Sequence, residues 1–137
     1  MPSSPPAGAE ARLAAARVGR LATVGADGRP HVVPVCFALH EGTIVTAVDQ
    51  KPKSTRALRR LENVRATGRA SLLVDHYEED WSKLWWVRVD GAAEVVESEA
   101  AIDTLAEKYE QYRTSRPAGP VIALAPERWR SWIPSEA

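Results

Sequence analysis

Three β-prone runs within residues 20–48 are joined by turns too short for anything but antiparallel pairing. They read RLATV (20–24), HVVPVCFAL (31–39) and TIVTAV (43–48). Parallel strands need a crossover of about a dozen residues or more. The links here are GADGRP, with its Asp27-Gly28 turn pair, and HEG. An antiparallel meander follows, and Pro34 inside its second run points to a sheet edge or a bulge.

Further strands are expected at RASLLVDHY (69–77), at LWWVRVDGAAEVVE (84–97) and at VIALAP (121–126). The second of these reads as a strand pair or one bent strand, with Gly91 at a bulge or kink. EEDWSK (78–83) reads as a loop, and ERWRSWIPSEA as a tail carrying Trp129 and Trp132. Helical spacing marks residues 9–17, about 54–66 through Ala57, Leu58, Leu61 and Val64, and 98–112. Ser98 can cap the last helix, where Ile102, Leu105 and Tyr109 share a face. Residues 1–8 are expected to be a disordered tail, and 9–137 one domain. The class is mainly β with flanking α: a small antiparallel barrel carrying helices on its outside.

Composition removes several functions. The formal net charge is zero, which argues against a nucleic-acid module. One cysteine, Cys36, excludes a disulfide framework, a multi-cysteine zinc site and dithiol chemistry by the chain alone. His31, His40 and His76 lack metal-ligand spacing, so no metal is expected. No signal-peptide core and no run of ~20 apolar residues is present. A cytoplasmic protein without membrane contact is expected.

Two stretches carry candidate chemistry. VDQKPKSTRALRR (48–60) concentrates Lys51, Lys53, Arg56, Arg59 and Arg60 around a helix start. The dipole disfavours cations there by ~0.3–1 kcal/mol each. A phosphate at that position receives free N–H donors, the positive helix end and the hydroxyls of Ser54 and Thr55. Lys53, Arg56 and Arg60 form a stripe beside the apolar arc. A solvated surface is the competing reading. The second stretch places Trp81, Trp85 and Trp86 within six residues. Adjacent Trp85 and Trp86 face opposite sides of a strand, so one packs inward while the other is available to a planar ligand or a second subunit. Core packing is the plainer alternative. No nucleophile motif appears, so redox work would need a bound cofactor.

NVRATGRASLLVD (63–75) resembles the pyridoxamine 5′-phosphate oxidase-like split-barrel proteins. Asn63, Arg69, Ser71 and Leu72 keep the pattern, and Gly68 stands where proline is usual. GRLATVGADGRPHVVPVCF (19–37) is similar to that family's first hairpin. DHYEEDWSKLWWVRVDGAAEVV (75–96) resembles a subgroup described as coenzyme F420-dependent enzymes. The resemblance spans roughly residues 10–133. It implies a split antiparallel β-barrel of the FMN-binding type, working as a homodimer with cofactor sites at the interface. It also implies hydride transfer between a deazaflavin and a small-molecule substrate. Coenzyme F420 is the implied cofactor and FMN the alternative. A non-catalytic flavin, F420 or haem-related binder is the other class. By position, His31, Val33, Pro34 and Val35 match cofactor-lining segments, as do Thr46, Ala47 and Val48. Lys51, Lys53, Ser54, Thr55, Arg56 and Arg60 match the phosphate-holding region, and Trp86 the ring wall. His31 and Cys36 stand where the oxidases carry arginine and lysine. No catalytic residue is named.

Overall fold

The structure is a computed structural model. It describes residues 4–48 and 55–134, the side chains of 55–58 excepted. Helix α1 (Ala9–Ala15) precedes β1 (Gly19–Val24), β2 (Pro30–Val35), β3 (Ala38–His40) and β4 (Thr43–Ala47). Helix α2 (Thr55–Thr67), β5 (Arg69–His76) and a short 3₁₀ turn at Trp81–Lys83 lead into β6 (Trp85–Val96). Helices α3 (Glu99–Lys108) and α4 (Glu110–Thr114) lead into β7 (Val121–Trp132). The strands form one seven-stranded antiparallel sheet in the order β2-β1-β5-β6-β7-β4-β3. This is the expected mainly-β class, curled into a half-barrel.

The sheet curls because β2 and β3 follow each other in sequence yet stand at its two opposite edges. Residues 31–39 were expected to be one strand. Instead Cys36 and Phe37 carry the chain from one edge to the other, and continuous β propensity hides that break. Across the join, Thr46 Oγ donates to Cys36 O at 2.7 Å. Phe37 is fully buried. Its N–H donates to Tyr109 Oη at 3.1 Å.

That contact explains a second departure. The helix expected over 98–112 ends at Lys108, because Tyr109 is extended (φ −118°, ψ 118°) and sends its ring to Phe37. Ser98 caps α3 as expected, its Oγ accepting from Ala101 N at 3.1 Å. Helix α2 stops at Gly68, whose φ of +65° suits glycine and whose N–H reaches Val64 O at 2.8 Å.

Strand β6 is one strand, paired to β5 on one side and β7 on the other. Its register with β7 shifts at Gly91, as the glycine suggested, although the extra residue is Glu127 on β7. The stretch expected to be a tail after Pro126 continues β7 to Trp132. Proline is tolerated at such an irregularity, so Pro126 does not end the strand.

Leu21, Leu72, Val74, Val87, Val89 and Trp129 form the main core with Leu13 of α1 and Leu61 and Val64 of α2. Ala101, Ile102 and Leu105 of α3 cover a smaller cluster with Val45, Ala47 and Val121. A fully buried leucine such as Leu105 contributes ~1.5–3 kcal/mol.

Candidate functional site

Residues directly opposite in an antiparallel sheet share a face. One row runs Arg20, Leu73, Arg88, Arg130 across β1, β5, β6 and β7. The next runs Ala22, Ser71, Asp90, Arg128. A third holds Asp75, Trp86 and Trp132. These residues alternate with the core-facing set, so they make up the opposite, outer face of the sheet. Val32 on β2 extends it and is 65% exposed, and Trp132 is 48% exposed.

A cavity of about 640 Å³ lies on this face, lined by Ala22, Val24 and Pro30 at one side and by Arg69, Ser71, Asp90, Glu127 and Arg128 at the other. Its polar groups form a network. Ser71 Oγ donates to Asp90 Oδ1 at 2.6 Å, and Arg88 donates to the same carboxylate at 2.9 and 3.2 Å. Arg69 pairs with Glu127 at 2.7 Å, and Arg20 with Asp75 at 2.9 Å. Partial burial pushes the Asp90 carboxyl up. The bonds from Ser71 and Arg88 and the charges of Arg88 and Arg128 outweigh that and hold it below the ordinary carboxylate value. Arg128 and Arg130 have no carboxylate within ion-pairing distance among the described residues. Arg130 donates to Trp129 O at 3.0 Å and faces Arg88 across the strands. A like-charged cross-strand pair is unfavourable by itself. The Arg130 and Arg128 guanidinium groups on the same face as two indoles suit an anionic group on a planar ring.

Among the described residues, none of the site residues expected from the sequence lines this cavity. Trp86 shares its face, while Trp85 faces the other way and packs against the core, as the strand alternation required. His31, Val33 and Val35 lie on the inward side of β2, and Pro34 points outward. His31 stands opposite buried Thr23. Thr46 and Val48 are buried towards the main core, and Ala47 lies under α3. Arg60 is half-buried on α2. Lys51, Lys53 and Ser54 lie outside the described residues, as do the side chains of Thr55 and Arg56. Helix α2 is fixed by its second half: Asn63 Nδ2 donates to Thr23 Oγ at 3.1 Å, and Thr67 Oγ donates to Val24 O at 3.2 Å.

The outer network of Ser71, Arg88, Asp90, Arg128 and Arg130 was missed from the sequence. Its signal was there, in the period-2 alternation of V-R-V-D (87–90) and R-W-R-S-W (128–132). Asp90 escapes a sequence reading because its neighbours in space, Ser71 and Arg128, are far away in sequence. Among the described residues no cluster of metal-ligating side chains occurs, and no helix is long and apolar enough to cross a membrane.

Solved structures repeat this architecture. A conserved hypothetical protein of Mycobacterium tuberculosis is 26% identical over 96% of this chain and 90% of that one, with a TM-score of 0.69. A heme binding protein of Mycobacterium smegmatis is 27% identical with a TM-score of 0.68; the match covers 95% of this chain and 55% of that protein. An FAD binding protein of the same organism shares the fold at 19% identity and a TM-score of 0.62, over 90% and 91% of the two chains. No curated protein sequence matches. The family described as Pyridoxamine 5′-phosphate oxidase matches residues 6–133. With the split half-barrel in place, that match over nearly the whole length shows that the chain belongs to the pyridoxamine 5′-phosphate oxidase family.

Proposed function

We propose that the chain binds a phosphate-bearing tricyclic cofactor of the flavin type, coenzyme F420 with FMN as the alternative, and carries out oxidoreduction of a small molecule as a homodimer. The observation that carries this reading is the cationic outer face, where Arg130, with no carboxylate in ion-pairing distance among the described residues, and Arg128, opposite Asp90, lie on the same side as Trp86 and Trp132. The cofactor would supply the hydride-exchanging ring atom that no side chain here provides. The residues present fit such a group. The indoles offer a wall for the rings, and Arg128 and Arg130 offer charge-assisted bonds for its anionic part. Lys51, Lys53, Ser54, Thr55, Arg56 and Arg60 are the proposed holders of a phosphate at the α2 start. What supports a two-chain site is that Trp86 and His31 stand on opposite faces of one sheet. A single ligand meets both only between two copies.

A second reading is non-catalytic haem binding, favoured by the 27% identical heme binding protein. Titration of the protein with F420, FMN, FAD and haemin separates the two. Saturable F420 or FMN binding that weakens with salt and in Arg128→Gln/Arg130→Gln supports the first. Haemin binding alone supports the second.

A further inference from the structure

The join between β2 and β3 holds a group of side chains that the outer face does not use. Lys108, the last residue of α3, reaches over Phe37: its Nζ lies 4.0 Å from the ring centroid and donates to Phe37 O at 2.8 Å. Tyr109 Oη lies 2.9 Å from the same oxygen. An amine and a phenol therefore converge on one carbonyl. No carboxylate pairs with Lys108 among the described residues. The charge beside it is another cation, Arg17, whose Nη1 donates to Lys108 O at 2.8 Å. The Arg17 guanidinium also lies 5.6 Å from the centre of the Tyr109 ring, which the Lys108 amine approaches to 5.3 Å.

We propose that Lys108 is a nucleophilic amine that forms an imine with small aldehydes, with Tyr109 as the proton donor in the dehydration step. Half-burial and the Arg17 charge lower the amine's pKa to about 8, against a weaker opposing influence of Cys36. Near pH 7.5 such an amine is neutral on the order of a hundred-fold more often than an ordinary lysine. Burial raises the pKa of Tyr109, which keeps its proton in place for donation.

The Nζ lone pair attacks the carbonyl carbon, and the carbonyl oxygen takes up a proton to give a carbinolamine. Nitrogen then loses one proton, the C–O bond breaks as Tyr109 Oη protonates the departing hydroxyl, water leaves, and the iminium gives up its remaining N–H proton to solvent. Solvent restores the phenol. One amine and one aldehyde give one imine and one water, with no change of oxidation state. The Phe37 and Tyr109 rings flank the amine closely, which limits the partner to a small aldehyde. None of these residues lines the outer-face cavity, so the proposal stands apart from the cofactor reading.

The test is reductive trapping of the whole chain with acetaldehyde and cyanoborohydride near pH 7.5, followed by peptide mass mapping. Ethylation of Lys108 is expected at least ten times faster than that of Lys51, Lys53 or Lys83. Tyr109→Phe is expected to slow the aldehyde reaction several-fold while leaving acetic anhydride labelling of Lys108 unchanged. Anhydride labelling serves as the check that the amine is still placed. Arg17→Gln is expected to move the pH midpoint of anhydride labelling upward. Trapping at Lys108 no faster than at Lys83 overturns the proposal. Trapping indifferent to Tyr109→Phe overturns the role of the phenol.

Discussion

Gly91 on β6 approaches Ala125 on β7 so closely that a Cβ on the glycine would lie 2.0 Å from the Ala125 carbonyl oxygen. The obstacle is backbone, which cannot rotate away as a side chain could. It sits where the strands shift register and Glu127 is the extra residue. Strands β6 and β7 are the longest in the sheet, and the cavity lies across this irregularity.

Gly91→Ala is therefore expected to destabilise the fold by ~3 kcal/mol or more, at the upper end of overpacking effects. Ala92→Gly, next along the strand and exposed, is expected to cost about 1 kcal/mol or less. Chemical denaturation of both variants checks this. Equal midpoints for the two would remove the steric argument.

Asn63 and Thr23 form a buried buckle between α2 and β1. Asn63→Ala leaves the Thr23 hydroxyl without that partner and is expected to cost ~1–3 kcal/mol. In the pair Asn63→Ala and Thr23→Val, the double variant is expected to lose less than the sum of the singles. Additive losses in a double-mutant cycle would show that the contact is not coupled.

The hairpins β1–β2 and β3–β4 were legible because short turns leave little freedom, although they stand at opposite edges instead of forming the expected meander; Gly91 was legible because few residues suit so close an approach. Asn63 was legible through its family pattern, which now has a physical cause in the bond to Thr23. Three features were hidden for different reasons. The break at Cys36 and Phe37 falls inside an unbroken β-prone run, and only closure of the half-barrel requires it. The extension of β7 was masked by Pro126. The kink at Tyr109 depends on Phe37, which is distant in sequence. The outer-face network escaped for the same reason: Ser71, Asp90 and Arg128 become neighbours only once three strands are in register.

Lys108 gives the stability a specific alkaline dependence. Its folded pKa of about 8 lies below the usual lysine value of 10.5. Between those values the unfolded chain binds more protons than the folded one, so stability rises with pH across that window. It is lost again as pH falls through about 8. For a half-exposed amine, solvent screening reduces the effect to about 1 kcal/mol. Lys108→Met abolishes this contribution, so wild type should gain on the variant between pH 7 and pH 10. Tyr109 is present in both chains, and the comparison isolates the amine. A stability difference constant over that range would contradict the assignment.

Trp132 stands opposite Trp86 on the outer face, and Leu73 and the strongly exposed Val32 lie on the same side of the sheet. Among the described residues, no helix packs over Trp132 or Val32, which stay exposed. Exposed Trp132 and Val32 frame the charged rows from the two sides of that face, and large exposed apolar side chains there mark a candidate interaction surface. A standard interface buries about 800 Å² per partner, which a sheet face of this width can supply. A second copy brings its own Trp86, Arg88 and Arg130 against the first, and two opposed arginine rows repel unless anions lie between them. The expected outcome is a homodimer at micromolar concentration whose association tightens when an anionic cofactor is present. Trp132→Glu places a carboxylate in the apolar row. It is expected to give a folded monomer, with unchanged far-UV circular dichroism and a halved mass by light scattering. A wild-type protein that stays monomeric at micromolar concentration, with and without F420 or FMN, would remove the two-chain site and with it the role proposed for Trp86.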